Sequence, residues 1–263
     1  MSISIVSLSP ANQSQAQSIA SEYGFIYQTE SEPVSAERFQ LQLSEKHLQL
    51  VDLKNISYGP LVIDFITGKS SHRRLYGGGK SQLLGKAVGL NKGFKPYVLD
   101  ATTGLGRDSF VLACLGCKVT MFERSVVLAA MLNDALQRAS KESELYDIIQ
   151  NITLIHADSI KQLCNKPEEN VLQEQPDIIY LDPMFPEKKG HALVKKEMQY
   201  LQHLIGQDID SSNLLSCAVK QAKYRVVVKR PAKAPYLDEQ KPQLELSSKK
   251  QRFDVYINQK LPV

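Results

Sequence analysis

An alternation that begins at Tyr97 constrains this chain more than any other feature: short apolar runs are separated by stretches with helical periodicity. Residues 97–100 read as a strand, 108–115 as a helix closed by Gly116, 119–122 as a strand and 126–139 as a helix. Further strands are expected at 152–155, 177–181 and 224–228, a helix at 193–205, and a closing antiparallel pair at 244–246 and 253–257. Apolar strands buried on both faces and separated by helices specify an α/β fold with a mostly parallel, doubly wound sheet. Ligands of such sheets bind outside the carboxyl ends of the strands, so chemistry is expected just after each apolar run.

Residues 1–67 differ in pattern and read as a small α+β appendage. Ser9-Pro10 followed by Ala16, Ile19, Ala20 and Tyr23, with Gly24 after, predicts a short capped helix. Phe39, Leu41 and Leu43 alternate with polar residues, 44–46 make a turn, and Leu48, Leu50 and 61–63 follow, which predicts antiparallel β structure. Residues 68–93 form a basic, glycine-rich connector with a short helix ending at Gly89, and 94–263 form the main domain.

The first main-domain strand ends in Asp100-Ala101-Thr102-Thr103-Gly104-Leu105-Gly106-Arg107-Asp108. Glycines there let the backbone approach a ligand, and the following helix offers free N–H groups. A dinucleotide fingerprint needs a third glycine where this chain has Ser109. The acid before the glycines suits a cation better than a pyrophosphate, and S-adenosylmethionine carries both a sulfonium and an ammonium. Glu123 ends the next strand, 17 residues past Gly106, where a carboxylate can accept both hydroxyls of a ribose. His156-Ala157-Asp158-Ser159 ends the third, so Asp158 or Ser159 is expected to face an adenine amine. An acid at a strand end, taken alone, is more often a helix cap; three in register on successive strands point to a nucleoside cofactor.

The fourth strand runs into Asp182-Pro183-Met184-Phe185-Pro186. This resembles the Asp-Pro-Pro-Tyr/Phe motif of amino-methyltransferases, with Met184 in place of the second proline. An exocyclic base amine is a poor nucleophile because its lone pair is delocalised into the ring. Asp182 and the Pro183 carbonyl can accept its two N–H bonds and favour a pyramidal nitrogen, while Phe185 can stack on a base drawn out of its helix. The competing explanation of these residues alone is an Asp-Pro turn with a packed Phe.

Five segments together, Leu99 to Ala113, Phe122-Glu123-Arg124-Ser125, Tyr180 to Pro186, Ala192 to Met198 and Arg225 to Pro231, resemble the bacterial small-subunit ribosomal RNA methyltransferase J family, with a match running from about Asp64 to the C-terminus. The resemblance implies a Rossmann-like class I S-adenosylmethionine-dependent methyltransferase that modifies N2 of a guanosine near the 3′ end of 16S ribosomal RNA. It further implies cofactor contacts at Arg107-Asp108, Glu123-Arg124, around Asp158-Ser159 and at Asp182. The partner is then 16S ribosomal RNA or the small ribosomal subunit. Two alternatives stay open on residue chemistry: an amine methyltransferase for adenine or cytosine, and a non-catalytic RNA-binding protein with the same fold. Thr102 departs from the acidic-x-Gly-x-Gly-x-Gly loop of such folds, occupying the first glycine's place.

Gly79-Lys80-Ser81 is not a phosphate loop, because the required first glycine falls on Arg74 and no strand precedes it. Arg73, Arg74 and Lys80 are instead RNA-phosphate candidates, with Lys188, Lys189, Lys195, Lys229 and Arg230 around the reaction motif. A solvated connector or charged face explains the same residues without RNA. The net charge of +4 decides little here. Four cysteines, at 114, 117, 164 and 217, are too few for a disulfide scaffold, and Cys114-x-x-Cys117 lacks the second pair of a zinc site, so thiols without metal are expected. The first ten residues lack the basic start and apolar run of a secretory leader, and no apolar stretch approaches the ~20 residues of a membrane span, so a cytoplasmic protein is expected.

Overall fold

The computed structural model describes residues 3–29, 38–67, 82–90, 93–164, 171–183, 196–205 and 211–262. The apolar runs form β6 (Tyr97–Asp100), β7 (Lys118–Glu123), β8 (Ile152–His156), β9 (Ile178–Leu181) and β10 (Arg225–Pro231), all parallel. The expected C-terminal pair is β11 (Leu244–Ser247) and β12 (Gln251–Ile257), with β12 antiparallel to both β10 and β11. The sheet order is β11-β12-β10-β9-β6-β7-β8. The chain winds outward from β6 through β7 to β8, then returns to lay β9 on the other side of β6. That reversal opens a crevice at the carboxyl ends of β6 and β9, where doubly wound sheets bind ligands.

Burial on both faces is visible strand by strand. Val98, Ile178, Tyr180 and Val227 enter one apolar cluster, and their neighbours Leu99, Ile179, Leu181, Val226 and Val228 enter the other. Flanking helices are α2 (Leu83–Ala87), α3 (Arg107–Cys114), α4 (Val126–Ala139), α5 (Tyr146–Ile149), α6 (Ser159–Cys164), α7 (Lys196–Ile205) and α8 (Ser211–Gln221), after an N-terminal α1 (Gln13–Tyr23). The α4 helix has the bounds its periodicity predicts, and Ser125 caps it by accepting from Leu128 N at 3.4 Å. α8 was not expected from sequence, although Leu214, Leu215 and Ala218 on it are buried in the second apolar cluster.

The N-terminal region carries five strands: β1 (Ser4–Ser7), β2 (Ile26–Gln28), β3 (Phe39–Leu43), β4 (Leu48–Asp52) and β5 (Leu61–Val62), ordered β2-β1-β3-β4-β5. The expected antiparallel β3–β4–β5 meander is present, but β1 adds a parallel strand between β2 and β3. The purely antiparallel expectation is therefore corrected. All four β1 residues are buried, so the strand is held by tertiary packing more than by any turn signal beside it. This sheet packs on α3 and α4. Asp134 accepts from Leu48 N at 3.2 Å, Arg138 donates to Ile63 O at 2.6 Å, and Phe65 stacks on Phe110 with centroids 4.8 Å apart.

Cys164 and Cys217 form a disulfide that joins α6 to α8, against the expectation of free thiols throughout; the pair is brought together from 53 residues apart. Cys114 and Cys117 are not disulfide-bonded, and burial pushes the Cys117 thiol up to about 12, consistent with packing rather than reactivity. Among the described residues no helix is long and apolar enough to cross a membrane.

Candidate functional site

The loop after β6 turns sharply enough that Gly104 (φ 55°) and Gly106 (φ 69°) both lie in the left-handed region. Gly106 is constrained twice, because a Cβ there would sit 2.8 Å from Leu132 Cδ2 and 3.1 Å from Phe65 Cζ. Asp100 braces the loop from beneath: one carboxylate oxygen accepts from Thr102 N at 3.1 Å and the other from the Ser109 hydroxyl. Burial raises Asp100 to about 7, opposed by those two donors and reinforced by Asp108 and Asp182.

Glu123, at the end of β7, faces the same loop. Its two oxygens accept from Gly104 N at 2.9 Å and Ser125 N at 2.7 Å, and burial raises it to about 7 against these donors. Arg124 beside it is exposed, with its carbonyl 3.3 Å from His156 Nε2. At the end of β8, Asp158 accepts from Ile160 N at 3.0 Å and Lys161 N at 3.3 Å, and so caps α6. The Ser159 hydroxyl is buried and donates to Ala101 O at 2.7 Å. Arg107 forms a two-bonded ion pair with Glu197 on α7, at 2.9 and 2.7 Å.

The reaction end lies across the crevice. Asp182 N donates to Thr102 Oγ1 at 2.6 Å, which ties the segment after β9 to the loop after β6. The residue that departs from the glycine pattern is thus the one that supplies this bond. Lys229 Nζ is 2.7 Å from Asp182 Oδ2 and 2.7 Å from Asp108 Oδ2, and the Tyr180 hydroxyl donates to the same Asp108 oxygen at 2.7 Å. The Asp182 side chain keeps 40 % of its accessibility at the mouth of the crevice, whereas Asp108 keeps 10 %. The protein around Asp182 raises its carboxyl, with Lys229 pulling in the opposite direction and Asp108 adding to the rise. Burial alone would lower Lys229, but the two carboxylates outweigh it and hold the ammonium charged.

Pro183 is buried directly after Asp182. Phe185, Lys188, Lys189 and Lys195 lie outside the described residues, as do Arg73, Arg74 and Lys80. Lys229 and Arg230, read from sequence as grips on RNA phosphate, point inward instead. Lys229 is engaged as above, and the buried Arg230 donates twice to Pro235 O at 3.2 and 2.9 Å. Tyr180 and Glu197 were not singled out from sequence, and Thr102 and Ser109 stood out only as departures from glycine patterns. Tyr180 carried a signal: it lies two residues before Asp182 and so shares its strand face.

A family model for SAM-dependent methyltransferases (SAM_MT) matches residues 25–258. A ribosomal RNA small subunit methyltransferase J from Aliivibrio fischeri is 45 % identical over 98 % of this chain and 98 % of its own. Another of that name, from Colwellia psychrerythraea, is 50 % identical over 85 % of this chain and 80 % of its own. The crystal structure of a SAM-dependent methyltransferase from Neisseria gonorrhoeae superposes with a TM-score of 0.74 at 34 % identity, covering 97 % of this chain and 95 % of that one. This chain belongs to the ribosomal RNA small subunit methyltransferase J family and is an S-adenosylmethionine-dependent methyltransferase.

Proposed function

We propose that this enzyme methylates the exocyclic N2 amine of a guanosine near the 3′ end of 16S ribosomal RNA, in the cytoplasm. The observation that carries the amine assignment is the bond from Asp182 N to Thr102 Oγ1, which holds the Asp-Pro segment against the cofactor loop. The names of the relatives support small-subunit ribosomal RNA as the substrate, and the resemblance of the motifs supports guanine.

The residues fit S-adenosylmethionine chemically. Each Glu123 oxygen takes one backbone N–H and keeps a lone pair for a ribose hydroxyl. Gly104 leaves its Cβ direction open, with only Thr102 O at 3.9 Å, so a ligand can approach the loop backbone. Asp108, Asp182 and Lys229 together carry one net negative charge, which matches the net positive charge of the cofactor. We assign the ribose to Glu123, the adenine side to Asp158 and Ser159, and the cationic end to the loop from Asp100 to Asp108.

When bound, S-adenosylmethionine supplies an electrophilic methyl group, its S–CH3 bonding pair returning to sulfur as the amine lone pair forms the N–CH3 bond. The protein's part is to prepare the amine. The Asp182 carboxylate and the Pro183 carbonyl accept the two N–H bonds, localise the lone pair on nitrogen and aim it across the crevice. Asp182 then takes the proton that the methylated amine releases. Phe185 is assigned the base-stacking role from its place in the motif.

The test is to incubate the enzyme with labelled S-adenosylmethionine and either small subunits or 16S ribosomal RNA lacking the modification, then digest the RNA and identify the nucleoside. N2-methylguanosine is expected. A methylated adenosine or cytidine would retain the mechanism and replace the target, and no transfer to any RNA would overturn the proposal.

A further inference from the structure

In β10 a lysine follows three consecutive buried valines, Val226 to Val228. Val227 pairs with Tyr180 and Val228 with Leu181, so the next position along the ladder sets Lys229 beside Asp182. Alternation then turns Lys229 to the same sheet face as Tyr180, where α3 delivers Asp108. Three elements distant in sequence thus converge on one ammonium, with both carboxylates at 2.7 Å. A phosphate-binding lysine would keep its head in water; this one is three-quarters buried with its charge committed.

We propose that Lys229 is a positioning residue for methyl transfer: clamped between Asp108 and Asp182, it keeps Asp182 charged and fixes the carboxylate for the substrate amine. The inference rests on the amine-methyltransferase assignment above and adds the group that prepares the acceptor. Two carboxylates on one ammonium disfavour each other's ionisation, and the cation between them offsets that. The groups facing Asp182 are Asp108 on α3, Asp100 at the end of β6, Tyr180 on β9, and Lys229 and Arg230 on β10. Of the two cations, only Lys229 bonds to Asp182 among the described residues; the Arg230 guanidinium donates to Pro235 O. Lys229 also takes only Oδ2 of Asp182 in that contact, so it orients the carboxylate by one oxygen.

A lysine that merely held the fold together would, on removal, weaken cofactor binding and turnover together. A positioning lysine separates them. In Lys229→Met the lost positive charge is offset as far as Asp182 takes up a proton, so the crevice becomes no less negative and affinity for the cationic cofactor should hold or rise. Turnover at saturating cofactor should drop about 10²-fold at pH 7, with the acid limb of the kcat profile moved to higher pH. Lys229→Arg should fall between the two, since it restores charge with a different shape.

The experiment that does not depend on turnover is carbon NMR of full-length protein carrying labelled aspartate carboxyls, with the Asp182 signal assigned by its loss in Asp182→Asn. The expected result is an Asp182 titration midpoint at least about one pH unit higher in Lys229→Met than in the wild type. An unchanged midpoint overturns the proposal, as does a parallel loss of cofactor affinity and turnover with an unmoved pH profile. Should the Met variant fail to fold, Lys229→Gln, which keeps a donor and removes the charge, carries the same measurement. Absence of methyl transfer by the wild type would defeat the assigned activity, while the NMR midpoint would still judge the lysine.

Discussion

Asp100 and Glu123, at the β6–β7 end of the crevice, and Asp108 and Asp182, at the β9–β10 end, are four acids within one site held in opposite ways. The first two are surrounded by neutral donors: a hydroxyl and backbone N–H groups. The second two share an ammonium. Neutral donors orient a carboxylate without cancelling its charge, so burial lifts Asp100 and Glu123 to about 7. A counter-ion opposes the same rise at Asp182. The difference suits the two tasks. The cofactor end has to be completed by a ligand that brings hydroxyls and positive charge, whereas the reaction end has to carry a charged acceptor before the amine arrives.

The comparison breaks most visibly at Glu123. Glu123→Gln places an NH2 group against one of two backbone donors, Gly104 N or Ser125 N. It should cost about 1–3 kcal/mol of stability and weaken cofactor binding about tenfold or more, read by thermal unfolding and titration calorimetry. Asp100→Asn sharpens the contrast, because an amide can still accept from Thr102 N and donate to the Ser109 hydroxyl. Its stability at neutral pH should stay within about 1 kcal/mol of the wild type or exceed it. The pH dependence carries the sign: Asp100 holds its proton to about 7 when folded but loses it near ~4 when unfolded. Its contribution to stability is therefore complete below ~4 and is lost as pH rises through 7. The wild type should lose more melting temperature between pH 5 and pH 8 than Asp100→Asn does; equal losses would contradict the assignment.

The smallest effect is expected at the Arg107–Glu197 pair, whose side chains keep 38 % and 27 % of their accessibility. Glu197→Gln should cost about 0.2–1 kcal/mol, which thermal unfolding would check.

The parallel sheet was legible because strands buried on both faces leave uninterrupted apolar runs, as in Val226 to Val228 and Ile178 to Leu181. The glycines and the acids ending β6, β7 and β9 were legible for the same reason, since each directly follows such a run. Partners were not. Lys229 looked like half of a basic surface pair because its acids stand 121 and 47 residues away. The clue was its place after three valines, in a strand where a solvated charge has no exit. Asp158 had the opposite problem: the acid and its capping alternative were both visible, but seeing the cap required α6, a helix too short to announce itself. Thr102 read as a defect in a glycine loop until Asp182 N was found to donate to it. β1 escaped because its neighbours β2 and β3 lie 22 and 35 residues further along the chain, counting start to start.

The most direct test of the account is single-turnover methyl transfer by Asp182→Asn at saturating S-adenosylmethionine, with unmodified small subunits or 16S ribosomal RNA as acceptor. The account predicts a folded protein whose rate is lower by about 10²–10⁴-fold, since the amide can neither carry the acceptor charge nor take the proton. A rate within a few-fold of the wild type would contradict it and remove Asp182 from the reaction.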